Sequence, residues 1–331
     1  MFNHNLLFSL LIPLLIATCD GKGSVSQSSQ AGSSVQVPVF NADSAYAYVK
    51  AQTDFGPRIP NTKAHKDCAD YLAAKLKAFG AETIVQPVQV TTFDGTKING
   101  YNIIGQYKPE SPKRVLICSH WDSRPWADND PDPSRHNEPV MGANDGASGV
   151  GVILEIARQM QKTAPEIGID CIFFDAEDWG PGDGHPQQQG AESFWALGTQ
   201  YWARQPHKSG YMARYAVLLD MVGGQEAHFY QEGYSLYFAE STVKKFWSAA
   251  KTAGFGNYFP EQQGGYVTDD HVFINRMARI PAIDIIPYYP DCKQSGFGPT
   301  WHTVTDDIEH IDKATLKAVG QTLLQVIYNE N

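Results

Sequence analysis

Three short segments hold most of the residues able to do chemistry. Gly142-Ala143-Asn144-Asp145-Gly146 sets an aspartate just ahead of a strongly periodic stretch. Taken alone, Asp145 reads as a helix N-cap, accepting hydrogen bonds from first-turn amides. Glu177-Asp178 is an adjacent acidic pair that follows a continuous apolar run. On a solvated loop such a pair is unremarked, but at a buried strand end two like charges are costly unless something cationic compensates. Trp301-His302-Thr303 lies in a loop rich in Gly and Pro, where a single histidine is ordinarily a surface residue. Together, Asp145, one member of the acidic pair and His302 form an N/O ligand set suited to zinc, with a fourth position open for catalysis. The other member of the pair is then free to act as a base.

The elements that must position these residues are legible around them. Residues 61–79 carry Cys68, Tyr71, Leu72, Leu76 and Phe79 at helical spacing and stop at Gly80. Residues 146–162 repeat the pattern, and residues 313–328 do so again behind Asp312 as N-cap. Between them lie continuous apolar runs at 115–118, 169–174, 216–219 and 282–286. Such runs alternating with helices predict buried strands in an open, mostly parallel mixed α/β sheet with helices on both faces. Residues 82–93 alternate instead and, with 101–107, predict antiparallel strands at one edge. The first three runs lead into His120-Trp121-Asp122, Asp175-Ala176-Glu177-Asp178 and Asp220. Ligands of open α/β sheets bind beyond the carboxyl ends of the strands, so three runs delivering acids or histidine there describe one site.

At these residues the chain resembles the co-catalytic zinc aminopeptidases and, within them, the glutaminyl-peptide cyclotransferases. The resemblance spans nearly all of residues 41–331. It rests on the ordered series His120-Trp121-Asp122, Asn144-Asp145, Asp175-Ala176-Glu177-Asp178, Leu219-Asp220, Asp269-Asp270-His271 and Trp301-His302-Thr303. It implies that Asp145, Asp178 and His302 hold one zinc per chain and that Glu177 is the general acid/base. By the same likeness His120 and Asp220 match positions that hold a second zinc in the aminopeptidases, and Asp269 contacts the substrate amine. Trp301 stands where the cyclases place a pocket tryptophan, with Trp179 and Asp270 expected beside the substrate. Position 178 is Asp where the family usually has Glu, and Asp284 stands where animal cyclases carry a histidine. The implied reaction is cyclisation of N-terminal glutamine of peptides and proteins to pyroglutamate with release of ammonia. The alternatives are a two-zinc aminopeptidase, with His120, Asp122 and Asp220 serving the second metal, and a non-catalytic binding module.

Composition sets the outer bounds. The 331 residues carry a formal net charge of −10 without a Lys/Arg cluster, which argues against a nucleic-acid partner. Residues 6–17 are almost entirely apolar, too short for the ~20 residues of a membrane span but fitting a secretory signal. Ile16-Ala17-Thr18-Cys19 resembles a lipoprotein cleavage box, although no Lys or Arg precedes the run. Residues 1–19 are therefore expected to be a signal ending at a lipidated Cys19, with an ordinary cleaved signal and then a retained N-terminal anchor as the alternatives. Residues 20–40 are read as a flexible linker and 41–331 as one catalytic domain, a periplasmic, lipid-anchored monomer. Cys68, Cys118, Cys171 and Cys292 match no metal-binding spacing; Cys118 and Cys171 sit in apolar runs as small hydrophobes.

Overall fold

The alternating stretch forms β1 (Glu82–Thr91), antiparallel to β2 (Lys97–Tyr107). The apolar runs become β3 (Arg114–His120), β4 (Gly168–Phe174), β5 (Ala216–Leu219) and β6 (Ala282–Ile285). In the computed structural model, which describes residues 36–182 and 191–330, these strands join in one six-stranded sheet of order β1-β2-β4-β3-β5-β6. Strands β4, β3, β5 and β6 are mutually parallel, and β2 runs antiparallel to β4, which leaves β1 at an edge. The described residues belong to one unit, Val35–Asn331. The expected signal, Cys19 and the linker as far as residue 35 lie outside the described residues.

Successive strand residues face opposite sides of the sheet. Val115 and Ile117 accordingly enter one core while Leu116 and Cys118 enter another. The first core is covered by α1 (Ala42–Thr53), α2 (Lys63–Ala78), α3 (Ala147–Lys162), α5 (Gly233–Thr252) and α7 (Lys313–Tyr328). The second is covered by α4 (Leu197–Arg204) and by the chain after α6 (Asp270–Phe273). Burial on both faces is why these strands read as unbroken apolar runs. Helices α2, α3 and α7 fall within two residues of their predicted limits, and the Asp312 side chain does cap α7 by accepting from the Ala314 amide. The sequence gives no comparable sign of α1, α4, α5 or α6. In α5 the backbone departs from helical geometry at Ala239 (φ −144°, ψ 38°), and the buried face mixes Ser235 and Thr242 with Val243, Phe246, Trp247 and Ala250. The fold also takes up the chain before α1: Phe40 is buried against Gly320 of α7.

From β3 the chain moves to β4 on one side and then to β5 on the other, so a crevice opens above the ends of β3 and β5. Helix α3 approaches this edge at close range. A Cβ at Gly149 would stand 2.3 Å from the Leu219 carbonyl and 2.4 Å from the Ser119 hydroxyl. Only the missing side chain lets the start of α3, and Asp145 ahead of it, reach the crevice.

Candidate metal centre and active site

Two strand ends and the loop that carries His302 pass through a backbone that L-residues seldom adopt. Ala176, Met221 and His302 have φ of 53°, 50° and 55°, each inside or beside a segment carrying a site residue. Non-glycine residues persist there only where the surrounding structure over-determines them, and such positions cluster at functional sites. Gly146 opens α3 at φ 93° with no side-chain cap, so Asp145 is not the N-cap that its position alone suggests. Its carboxylate turns to the crevice, while its amide and that of Asn144 are held by Asp306 at 3.0 and 2.7 Å. The buried Arg58 guanidinium donates to the carbonyls of Trp121, Met141 and Gly142, fixing the loop ahead of Asp145.

The sequence-expected ligands meet. His302 Nε2 lies 3.2 Å from Asp178 Oδ1 and 3.6 Å from Asp145 Oδ2. One ligand atom from each of the three residues lies within 4.8 Å of the others, and all three are buried. A second group, His120, Asp145 and Asp220, is equally close and shares Asp145. There His120 Nε2 stands 2.9 Å from Asp145 Oδ1 and 3.1 Å from Asp220 Oδ1. The first group fits zinc: it offers one imidazole and two carboxylates, and Asp178 Oδ2 is buried without a hydrogen-bond partner. The unused His302 nitrogen, Nδ1, faces Asp128 at 3.4 Å, the carboxylate–histidine arrangement that orients a metal ligand. Arg124, itself buried, links both sides of this arrangement. It holds Asp128 through two bonds of 2.7 and 2.6 Å and reaches Asp178 Oδ1 at 3.0 Å.

Electrostatics point the same way. Burial pushes the carboxyls of Asp145 and Asp220 above the usual range, with the charge of Asp178 adding to it and the bond from His120 opposing it. Burial works against ionisation of Asp178 too, but His302 and Arg124 outweigh it and hold that carboxyl down. Burial pushes Glu177 well above the ordinary carboxylate range; His120 opposes this, and Asp269 and Asp178 reinforce it. A crowd of buried acids sharing so few cations is a place where a divalent ion is welcome.

The cavity over these residues has a volume of about 240 Å³ and is lined by Asp145, Glu177, Asp178, Asp220, Asp269 and His302 beneath apolar walls. Trp301 is among those walls, its ring stacked on His302 with centroids 3.7 Å apart. Asp269 also lines the cavity, and it caps α6 by accepting from the Asp270 amide. Three expectations need correction. Trp179 does not line the cavity; it packs against the small cluster of Ile98, Ala176 and Leu197 and edge-on to Trp126. Trp195 takes that place, roughly parallel to His302 at 6.4 Å and close against Gly180. Asp270 is fully buried behind the cavity as the first residue of α6. Asp122 is not in the second ligand group either: its two oxygens accept from the Glu177 and Asp178 amides at 3.1 and 3.2 Å. Asp284 is buried in β6 with neither oxygen hydrogen-bonded, its Oδ2 3.7 Å from His271 Nδ1, and lies outside the cavity. Arg58, Arg124, Asp128, Trp195 and Asp306 carry no local signal in the sequence, since each acts across a long chain separation.

A mostly parallel α/β sheet whose strand ends gather an imidazole and carboxylates around an open cavity is the architecture of a metal-dependent enzyme. Residues 102–327 match the Peptidase family M28 profile, and the chain belongs to that family. Its structure is similar to that of the Bacteroides thetaiotaomicron glutaminyl cyclase solved bound to N-acetylhistamine, with TM-score 0.87 and 57% identity over 89% of this chain and 100% of that one. The Tannerella forsythia glutaminyl cyclase is similar at TM-score 0.86 and 52% identity, over 89% and 100% of the two chains. Aminopeptidase YwaD of Bacillus subtilis is 26% identical over 94% of this chain, which spans 63% of that protein's length.

Proposed function

We propose that this protein is a zinc-dependent glutaminyl cyclase that converts N-terminal glutamine of peptides and proteins to pyroglutamate and releases ammonia. The observation that carries the reading is the small cavity in which Trp301, stacked on His302, walls the ligand group while Glu177 and Asp269 face the same space. Asp145, Asp178 and His302 are the residues that would hold one zinc per chain. Bound there, zinc supplies Lewis-acid polarisation of the substrate γ-carbonyl, worth several kcal/mol of charge stabilisation.

The remaining work falls to the chain. The substrate α-amine attacks its own γ-carbonyl carbon, so the protein selects a rotamer and manages protons rather than recruiting a second reactant. Glu177, its proton affinity raised by burial, accepts the proton of the attacking nitrogen and returns it to the departing amide nitrogen as ammonia leaves. Asp269 accepts from the uncharged amine, and Asp220, braced by His120, orients the leaving amide. Trp195, Phe297 and Trp301 keep water from competing with the amine.

A second reading has one observation in its favour: Asp145 stands between two ligand groups, as a two-zinc aminopeptidase requires. A Gln-initiated peptide assayed beside a Leu-initiated one separates them. The cyclase removes the mass of one ammonia from the first and leaves the second intact. Release of free amino acid from both, with two zinc ions needed for activity, would carry the aminopeptidase instead. The leader supports export to the periplasm with a lipid anchor at Cys19. Fatty-acid labelling that survives Cys19→Ala would remove that part of the proposal.

A further inference from the structure

Asp175 heads the segment that carries Glu177 and Asp178, but it is fully buried and does not line their cavity. Pairing of β2 with β4 ends at Ile103 and Phe173, and beyond that point the Asp175 carboxylate continues the tie. Its Oδ2 accepts from the Tyr101 amide at 2.5 Å, and its Oδ1 accepts from the Ala176 amide at 2.7 Å. Gly100 makes room for it, since a Cβ there would stand 2.6 Å from Oδ2. A third partner comes from α2: His65 Nε2 lies 2.9 and 2.8 Å from the two oxygens, across 110 positions of chain.

His65 is itself buried, and its ring stacks on Trp121 with centroids 4.4 Å apart and an angle of 16° between the planes. Trp121 stands between His120 and Asp122, and Asp122 accepts from the Glu177 and Asp178 amides. One imidazole therefore ties the loop after β3 to the loop after β4. Between Asp175 and Glu177 lies Ala176, at φ 53°. A non-glycine residue keeps such a backbone only while its surroundings hold it there. Asp178 has a separate hold, the Arg124 guanidinium on its Oδ1. Glu177 takes its direction from the turn.

We propose that His65 is a positioning residue for Glu177: stacked on Trp121 and bonded to Asp175, it holds the turn at Ala176 that aims the Glu177 carboxyl into the cavity. The inference rests on the reading of Glu177 as the acid/base group. His65 lies outside the cavity lining and acts through Asp175 alone. Proton transfer needs the two heavy atoms within about 2.6–3.2 Å of each other. A misplacement of about 1 Å, caused far from the chemistry, can cost about a hundredfold. Zinc and substrate binding do not call on Glu177 at that precision, so the effect falls on turnover.

The test measures kcat and KM for a Gln-initiated peptide by ammonia release, with turnover counted per bound zinc so that unfolded chains drop out. His65→Phe keeps a ring on Trp121 and removes the donor to Asp175. Its kcat should fall about 10- to 100-fold, with KM and zinc content unchanged. His65→Gln can still donate one bond and should recover a few-fold of that loss. In a Glu177→Gln background, His65→Phe should cost nothing further, because the group it aims no longer carries a proton. Asp175→Asn, which keeps the shape but cannot accept on both side-chain positions, is the second variant and should show the same loss and the same silence. Unchanged kcat per zinc with lowered stability would make His65 a packing residue and overturn the proposal. So would zinc lost in step with turnover, or the full loss persisting beside Glu177→Gln. Parent-like turnover of Glu177→Gln by itself would instead overturn the reading of Glu177 as the base.

Discussion

The two members of the acidic pair at residues 177 and 178 answer to different surroundings, and that difference can be measured. Glu177→Gln keeps the shape but cannot carry a proton, so turnover should fall by about 10²- to 10⁴-fold while zinc stays bound. Elemental analysis of the same preparation checks the second half; turnover within a few-fold of the parent would remove Glu177 as the base. Asp178→Ala and His302→Ala should lose the metal with the activity. Asp128→Asn touches no substrate, yet it removes the acceptor at His302 Nδ1 and the partner of Arg124. Zinc affinity should drop by about 10- to 100-fold, read by competition with a chelator, in line with losses of ligand-orienting partners. A cyclase also needs its substrate amine uncharged. Its kcat/KM should rise with pH toward the amine's ordinary value of about 7.7–8.0. At this scale the sequence was informative where chemistry is local: Asp145, Glu177, Asp178, Asp220 and His302 all line the cavity. It was silent on Arg124, Asp128 and Asp306, which reach the site across the fold, and of the two tryptophans it named, Trp301 lines the cavity while Trp179 does not. Trp179 is adjacent to a ligand in the chain, but Trp195 is adjacent in space.

Among the elements, α3 is the one whose placement decides the site. Gly149→Ala would press a methyl group into the Leu219 carbonyl and the Ser119 hydroxyl. Overpacking of this kind costs about 1–3 kcal/mol, which a urea midpoint would register. The same shift should lift Asp145 from the ligand group, so zinc affinity should fall together with stability; loss of stability alone would separate helix packing from ligand placement. The strands were legible because burial on both faces leaves continuous apolar runs, and α2, α3 and α7 because each shows a steady apolar period. Helix α5 escaped notice because its buried face includes the polar Ser235 and Thr242, which dilute the apolar pattern, and α6 because four residues are too few to show a period.

For the molecule as a whole, acid stability should trace in part to Glu232. Burial raises its carboxyl, but the bonds from His271, Val267 and Ser235 outweigh that and bring it from 4.5 to about 2. A carboxyl depressed in the folded state stabilises above its unfolded value and loses that contribution as pH falls through the folded one. The window here runs from about 4.5 down to about 2. At about 1.4 kcal/mol per unit, the group contributes roughly 3 kcal/mol at neutral pH. Glu232→Gln should lower stability by up to that amount at pH 7 and flatten its fall across the window; unchanged acid unfolding would contradict the assignment.

The proposed zinc ligands come from three separate connections, after β3, after β4 and after β6, the first and the last 157 positions apart. No fragment of the chain can assemble them ahead of the sheet. Zinc should therefore act on the clock of the molecule from one side only. Adding it during refolding should leave the folding rate unchanged, because the transition state has no site to bind it. Stripping it with chelator should instead speed unfolding, the signature of contacts made after the folding barrier. The metal would then serve as a latch on the finished structure rather than as a template for it.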